Sequence, residues 1–177
     1  MLSRGTSEGP KMRILPDTEI KPFAACVPTE LVRPHFYGTG ALALVAEHNA
    51  ERFLVVLRGE GVIHPTYINV GKDPGLSMLS YGVSYDVRLN HLEDLELGAS
   101  KRWGQSGSII LHGNQKLMIV RSQSGMQGTA YYDLQLGQFV ELNFPATVTA
   151  YRWKLVLTTA HKDFRPELFK FEAPSAV

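Results

Sequence analysis

The segment Leu79-Ser80-Tyr81-Gly82-Val83-Ser84-Tyr85-Asp86-Val87-Arg88-Leu89-Asn90 alternates apolar and polar residues from end to end. On a helix its apolar side chains would scatter around the circumference, whereas on a strand they share one face. The segment therefore reads as a single long strand with one solvated side, and Gly82 is where it can bend. A second alternation sets Leu95, Leu97 and Ala99 against Glu96, Gly98 and Ser100. The intervening His91-Leu92-Glu93-Asp94 predicts that the two segments pair.

Outward from this stretch the strand pattern continues. Leu42–Ala46 and Phe53–Leu57 are short apolar runs around the polar turn His48-Asn49-Ala50-Glu51, which predicts two buried, paired strands. In Val62–Val70, Pro65 cannot donate to a ladder, so an edge or a bulge is expected there. Gly113-Asn114 joins Ser108–His112 to Gln115–Val120, and a Gly at the first central position suits a two-residue type II′ hairpin. That turn predicts His112 opposite Gln115 and Ile110 opposite Leu117. Further strands are expected over Thr129–Gln135, Gln138–Phe144 and Thr147–Thr158.

Helix is confined to scraps. Pro16, Pro22, Pro28 and Pro34 make the preceding segment an extended arm across the surface. Thr29 can cap one turn over Glu30–Arg33, and Asp163–Lys170 can hold a short helix with Pro166 in its first turn. The reading is all-β and mainly antiparallel: a β-sandwich or jelly-roll-like barrel of about ten strands, with a proline-rich N-terminal arm and one or two short helices. Residues 1–11 are set aside as a disordered extension, and 12–177 are read as one domain. No internal repeat survives residue-by-residue comparison.

Composition narrows the function classes. With 44% hydrophobic and 20% charged residues in 177, the chain has the material for a packed core. A net charge of +1 provides no broad field for DNA, RNA or an anionic membrane. No apolar run reaches the ~18 residues a membrane helix needs. The single Cys26, in Phe23-Ala24-Ala25-Cys26-Val27, reads as a small buried residue, and the lack of disulfide partners fits a cytoplasmic location.

The search for local catalytic motifs fails. The six histidines, among them His64 and His112, never fall at a zinc-binding spacing. The paired histidines that open a cupin motif are missing, so no metal and no cofactor are assigned. Gly104-Gln105-Ser106-Gly107-Ser108 lacks the closing spacing of a nucleophile elbow and reads as a flexible loop. Gly71-Lys72 has no phosphate-cradling glycine loop before it.

The leading expectation is therefore a binding or assembly module for an unknown small ligand, leaning away from an enzyme. Exposed strand edges predict a homo-oligomer. The alternative is a cupin-like jelly-roll enzyme whose site is assembled from His64, His112 and Asp86 or Glu96, acting as ligands or as general acid and base. Ser84, Asp86 and Arg88 share one side of the long strand, where an Asp–Arg pair can recognise a polar ligand. A third reading takes Arg102, Trp103 and Arg152 as a surface for carbohydrate or nucleic acid, with rings stacking and cations holding anions. Against it, alternation places Tyr151, Trp153, Leu155 and Leu157 inward and leaves Arg152 and Lys154 on the wet face.

Overall fold

The computed structural model describes residues 18–71, 75–89, 95–97, 104–124, 128–142, 148–158 and 166–174. Strands dominate the described residues: β1 (Glu19–Pro22), β2 (Leu31–Arg33), β3 (Leu42–His48), β4 (Glu51–Arg58), β5 (Thr66–Asn69), β6 (Ser77–Gly82), β7 (Tyr85–Leu89) and β8 (Leu95–Leu97). They continue as β9 (Ile109–His112), β10 (Gln115–Ser122), β11 (Thr129–Asp133), β12 (Gln138–Val140), β13 (Val148–Ala150), β14 (Arg152–Leu157) and β15 (Glu167–Glu172). The protein is all-β, with a closed barrel at its centre and further strands around it.

The barrel is two three-stranded meanders, β3-β4-β5 and β10-β11-β12. Two parallel contacts close it: Thr66 at the start of β5 lies beside Arg121 of β10, and Gln138 at the start of β12 lies beside Glu47 of β3. Every other described pairing is antiparallel. The meanders thus repeat one arrangement, although their sequences show no repeat. Leu44 and Ala46 on β3 correspond to Met118 and Val120 on β10, and all four face inward.

The interior is packed with side chains. Leu42, Leu44, Ala46, Phe53, Val55, Tyr67, Met118, Val120 and Tyr132 fill it with Phe139, whose ring centroid lies 5.0 Å from Tyr67 and 5.2 Å from Phe53. The runs Leu42–Ala46 of β3 and Phe53–Leu57 of β4 are apolar and buried because both of their faces are covered. Their outward residues Ala43, Val45, Leu54 and Val56 lie beneath the N-terminal arm with Phe23, Cys26, Val32 and Met78. Asn49 and Ala50, with φ of 51° and 60°, turn β3 into β4. Positive φ at both central positions is the type I′ geometry that suits a twisted hairpin.

A smaller sheet, β15-β14-β7, packs Trp153, Leu155 and Phe171 onto the barrel core, with Val87 and Phe169 beside them. Trp153 is wholly buried, and its Nε1 donates to Gly107 O at 2.6 Å. The chain reaches this sheet twice by leaving the large one, at Gly82–Ser84 and at Tyr151.

Several expectations are corrected here. The alternating segment is two strands, because Gly82 has φ of 74° and the next residues carry the chain from one sheet to the other. On β6 the even positions Met78 and Ser80 are buried beneath the arm, while Tyr81 packs against the same core as Tyr85, Val87 and Leu89 of β7. β7 does not pair with β8; β14 takes β7, and β13 takes β8. The helical turn expected after Thr29 is strand β2, paired with β3 and β6, and short 3-10 turns occur at Phe23–Ala25 and His35–Tyr37 instead. Glu167–Glu172 is a strand, because Phe169 and Phe171 alternate toward Trp153.

Other expectations meet the structure directly. His112 pairs with Gln115 and Ile110 with Leu117, around Gly113 at φ of 54°. In place of the edge or bulge expected at Pro65, that residue stands just ahead of β5, which is paired on both sides, so its missing N–H leaves no gap in the ladder. Residues 1–11, the 91–94 turn, Gly98–Ser100, Arg102, Trp103 and 163–165 lie outside the described residues.

Candidate functional site

A cleft of about 440 Å³ opens at the barrel rim, where the segment after β4, the turn before β9, the end of β10 and β15 converge. Three neighbouring pieces of chain bring its cations together. Arg58 closes β4, His64 precedes β5, and Arg121 lies beside Thr66 with its N–H directed at Pro65 O, 3.5 Å away. Phe169 and Phe171 supply an apolar wall, and Ile63, 92% exposed, stands on the rim. Behind the cleft Ser106 is buried, its hydroxyl donating to Pro65 O.

The electrostatics of the cleft are one-sided. Arg58 Nε donates to Gly40 O at 2.8 Å, and no described carboxylate pairs with Arg58, His64 or Arg121. The single acid on the wall, Glu172, is engaged by Arg152 at 3.1 Å and Lys170 at 3.5 Å. The Gln105 Oε1 is buried without a partner in the same wall. A side-chain amide turned the other way would present a donor at this position.

The turn behind the cleft corrects the expected flexible loop. Gly107 N–H donates to Ile119 O at 2.7 Å, Ile119 N–H returns to Ser108 O at 2.9 Å, and Gly107 accepts from Trp153. Gly107 has φ of 96°, and a Cβ there would collide with the Phe171 ring. Small residues are placed here so that the backbone can lie against aromatic rings.

Of the described residues offered as site candidates from the sequence, only His64 lines this cleft. His112 ends β9 at the hairpin, Glu96 lies on β8 and Asp86 on β7, so the cleft does not combine the expected acid–base partners. Asp86 and Arg88 do form the expected pair, at 2.9 Å on the outer side of the small sheet. Ser84 is exposed in the crossing segment, where its carbonyl accepts from Thr158 N–H at 2.8 Å. Arg152 is exposed beside Glu172, while Tyr151 and Trp153 are buried as alternation required. Among the described residues no three His, Cys, Asp or Glu side chains gather as a metal ion would need. Arg58, Arg121, Lys170 and Phe169 were missed. Arg58 and Arg121 each end a buried apolar run, which is the only signal the sequence offers for them.

A second polar cluster lies under the arm. The Glu30 carboxylate, 1% exposed, meets Lys21 Nζ at 2.7 Å, the Val27 N–H at 2.7 Å and the Ser80 hydroxyl. Burial pushes the Glu30 carboxyl up, but these donors outweigh it and hold it below its ordinary value. Nearby, burial pushes the Cys26 thiol up to about 11, which leaves it protonated and a poor nucleophile. The Arg52 guanidinium bonds the carbonyls of Phe23 and Cys26, so this cluster fastens the arm and is closed to a ligand.

Among the described residues no helix is long and apolar enough to cross a membrane. No family model, no curated protein and no solved structure matches this chain.

Proposed function

We propose that the protein is a non-catalytic binding module that takes a small polar ligand in the rim cleft. The observation that carries this reading is the filled barrel. With the interior occupied by Leu44, Val55, Met118, Tyr132 and Phe139, a ligand has to be held at the rim, and the rim offers a concave wall of mixed polar and apolar groups. No described carboxylate pairs with His64, and Glu172, the acid of the cleft, is engaged by Arg152 and Lys170, which favours binding over acid–base chemistry.

Ligand-observed NMR against a defined panel of sugars, amino acids, carboxylates and nucleotides tests it. At least one compound is expected to bind the native protein and to be lost from His64→Trp, which fills the cleft. Hits that survive His64→Trp contradict the cleft, and chemical conversion of a bound compound contradicts the non-catalytic reading. Self-association belongs to the same proposal, since β7 and β15 each pair on one side only among the described residues. Light scattering at micromolar concentration is expected to show an oligomer, and a monomer contradicts that part.

A further inference from the structure

Resting on the cleft as the binding site, we infer that its ligand is a phosphorylated small molecule with a flat or apolar body, such as a nucleoside monophosphate. Arg58, His64 and Arg121 come from three adjacent stretches of chain and line one cleft, whose acid, Glu172, is engaged by Arg152 and Lys170 instead. Guanidinium groups with unused N–H donors match a phosphate better than a neutral ligand, because each arginine presents a planar fork of donors. An imidazole can add an N–H to a phosphate oxygen in either protonation state.

The cleft is also lined by apolar groups. Phe169 packs 5.3 Å from the Trp153 ring, and the nearly bare Ile63 lies next to His64 in the same lining. A bare phosphate would leave these groups in water, whereas a ring attached to the phosphate would cover them.

Charge distribution favours a small molecule over a nucleic acid strand. On the three-stranded sheet beside the cleft the described cations already meet acids: Arg152 and Lys170 meet Glu172, Lys154 meets Glu167, and Arg88 meets Asp86. A polyanion needs a continuing basic track, and on that sheet each described cation is offset by an acid.

Calorimetry at low ionic strength with adenosine monophosphate, inorganic phosphate and adenosine tests the inference. The monophosphate is expected to bind at least tenfold more tightly than either part. Arg121→Gln should weaken the monophosphate and phosphate at least tenfold and leave adenosine unchanged. Ile63→Ser, at an exposed position that cannot compromise the core, should weaken the monophosphate and not phosphate.

Adenosine binding as tightly as the monophosphate, indifferent to Arg121→Gln, overturns the phosphate assignment and leaves the cleft in place. The same division follows if the monophosphate gives no heat while a panel compound is lost from His64→Trp. Affinity for oligonucleotides that rises with their length overturns the small-molecule assignment. If neither the three probes nor the panel binds, both proposals fall together.

Discussion

The N-terminal arm and the sheet β7-β14-β15 both cover the barrel, and both carry ion pairs. Under the arm one carboxylate, Glu30, is removed from water and held by three donors on Lys21, Val27 and Ser80. On the sheet, Arg88, Lys154 and Lys170 stand directly opposite one another across three strands. Each of these cations meets an acid, Asp86, Glu167 or Glu172, but every one of those side chains is 38% exposed or more. A buried pair is dangerous to break because the survivor keeps its charge out of water, whereas an exposed pair loses little when water replaces the partner. The arm is therefore fastened by charge and the sheet by aromatic burial.

The largest expected effect follows from removing the acid under the arm. Glu30→Ala should destabilise the protein by about 3–5 kcal/mol in denaturant melts, since it leaves the buried Ser80 hydroxyl and the Val27 N–H without their acceptor and takes from Lys21 one of its two carboxylates. A loss below about 1 kcal/mol would erase the contrast between the two layers. The pH dependence has a defined sign. Glu30 is held below its ordinary value of 4.5, so its contribution is complete above that pH and is lost as the pH falls through the lower folded value. Lys21 is raised above 10.5, so its share is complete below that pH and is lost as alkali carries the pH through the raised value. Glu30→Gln should flatten the acid limb of the stability curve and Lys21→Met the alkaline limb.

Next in size is the contact on which the sheet depends. Gly107→Ala would force a side chain into positive φ and against Phe171, and should cost about 2–4 kcal/mol by thermal or chemical denaturation. A neutral result would mean that the Trp153–Phe171 layer is less tightly seated on the turn than the geometry indicates. In the opposite direction, Ala50 sits at φ of 60° in the β3–β4 hairpin, and Ala50→Gly should stabilise the protein by roughly 0.5–1 kcal/mol. The smallest change is expected at the outer charges, where Lys154→Ala should shift stability by less than ~0.5 kcal/mol, within the range of exposed pairs.

What the sequence discloses divides along the same physical line. The Gly113-Asn114 turn and its register were legible because hairpin chemistry is local: two residues set which neighbours face each other. The buried runs of β3 and β4 were legible because coverage on both faces leaves an uninterrupted apolar signature. The break at Gly82 was legible only as a bend. Which sheet each half joins is set by β1 and β2 on one side and by β14 on the other, far along the chain. Ser80 looked solvated because its polarity is answered by Glu30, fifty residues away. The two meanders escaped notice because they repeat a backbone arrangement rather than residues. The cleft was illegible for a similar reason, since Arg58, His64, Arg121 and Phe169 come from separate segments and have no common spacing to betray them. Of these only His64 was picked out, as a partner for His112, which lies elsewhere.

The location of binding is the claim on which the functional account stands, and it can be read residue by residue. Backbone amide NMR spectra recorded while adenosine monophosphate is added should show shifts concentrated at Arg58–Thr66, Gln105–Ser106, Arg121 and Phe169–Glu172, with the barrel interior and the arm unchanged. Shifts centred on Leu44, Val55, Met118 and Tyr132, or on the outer charges of β7 and β14, would contradict a rim site.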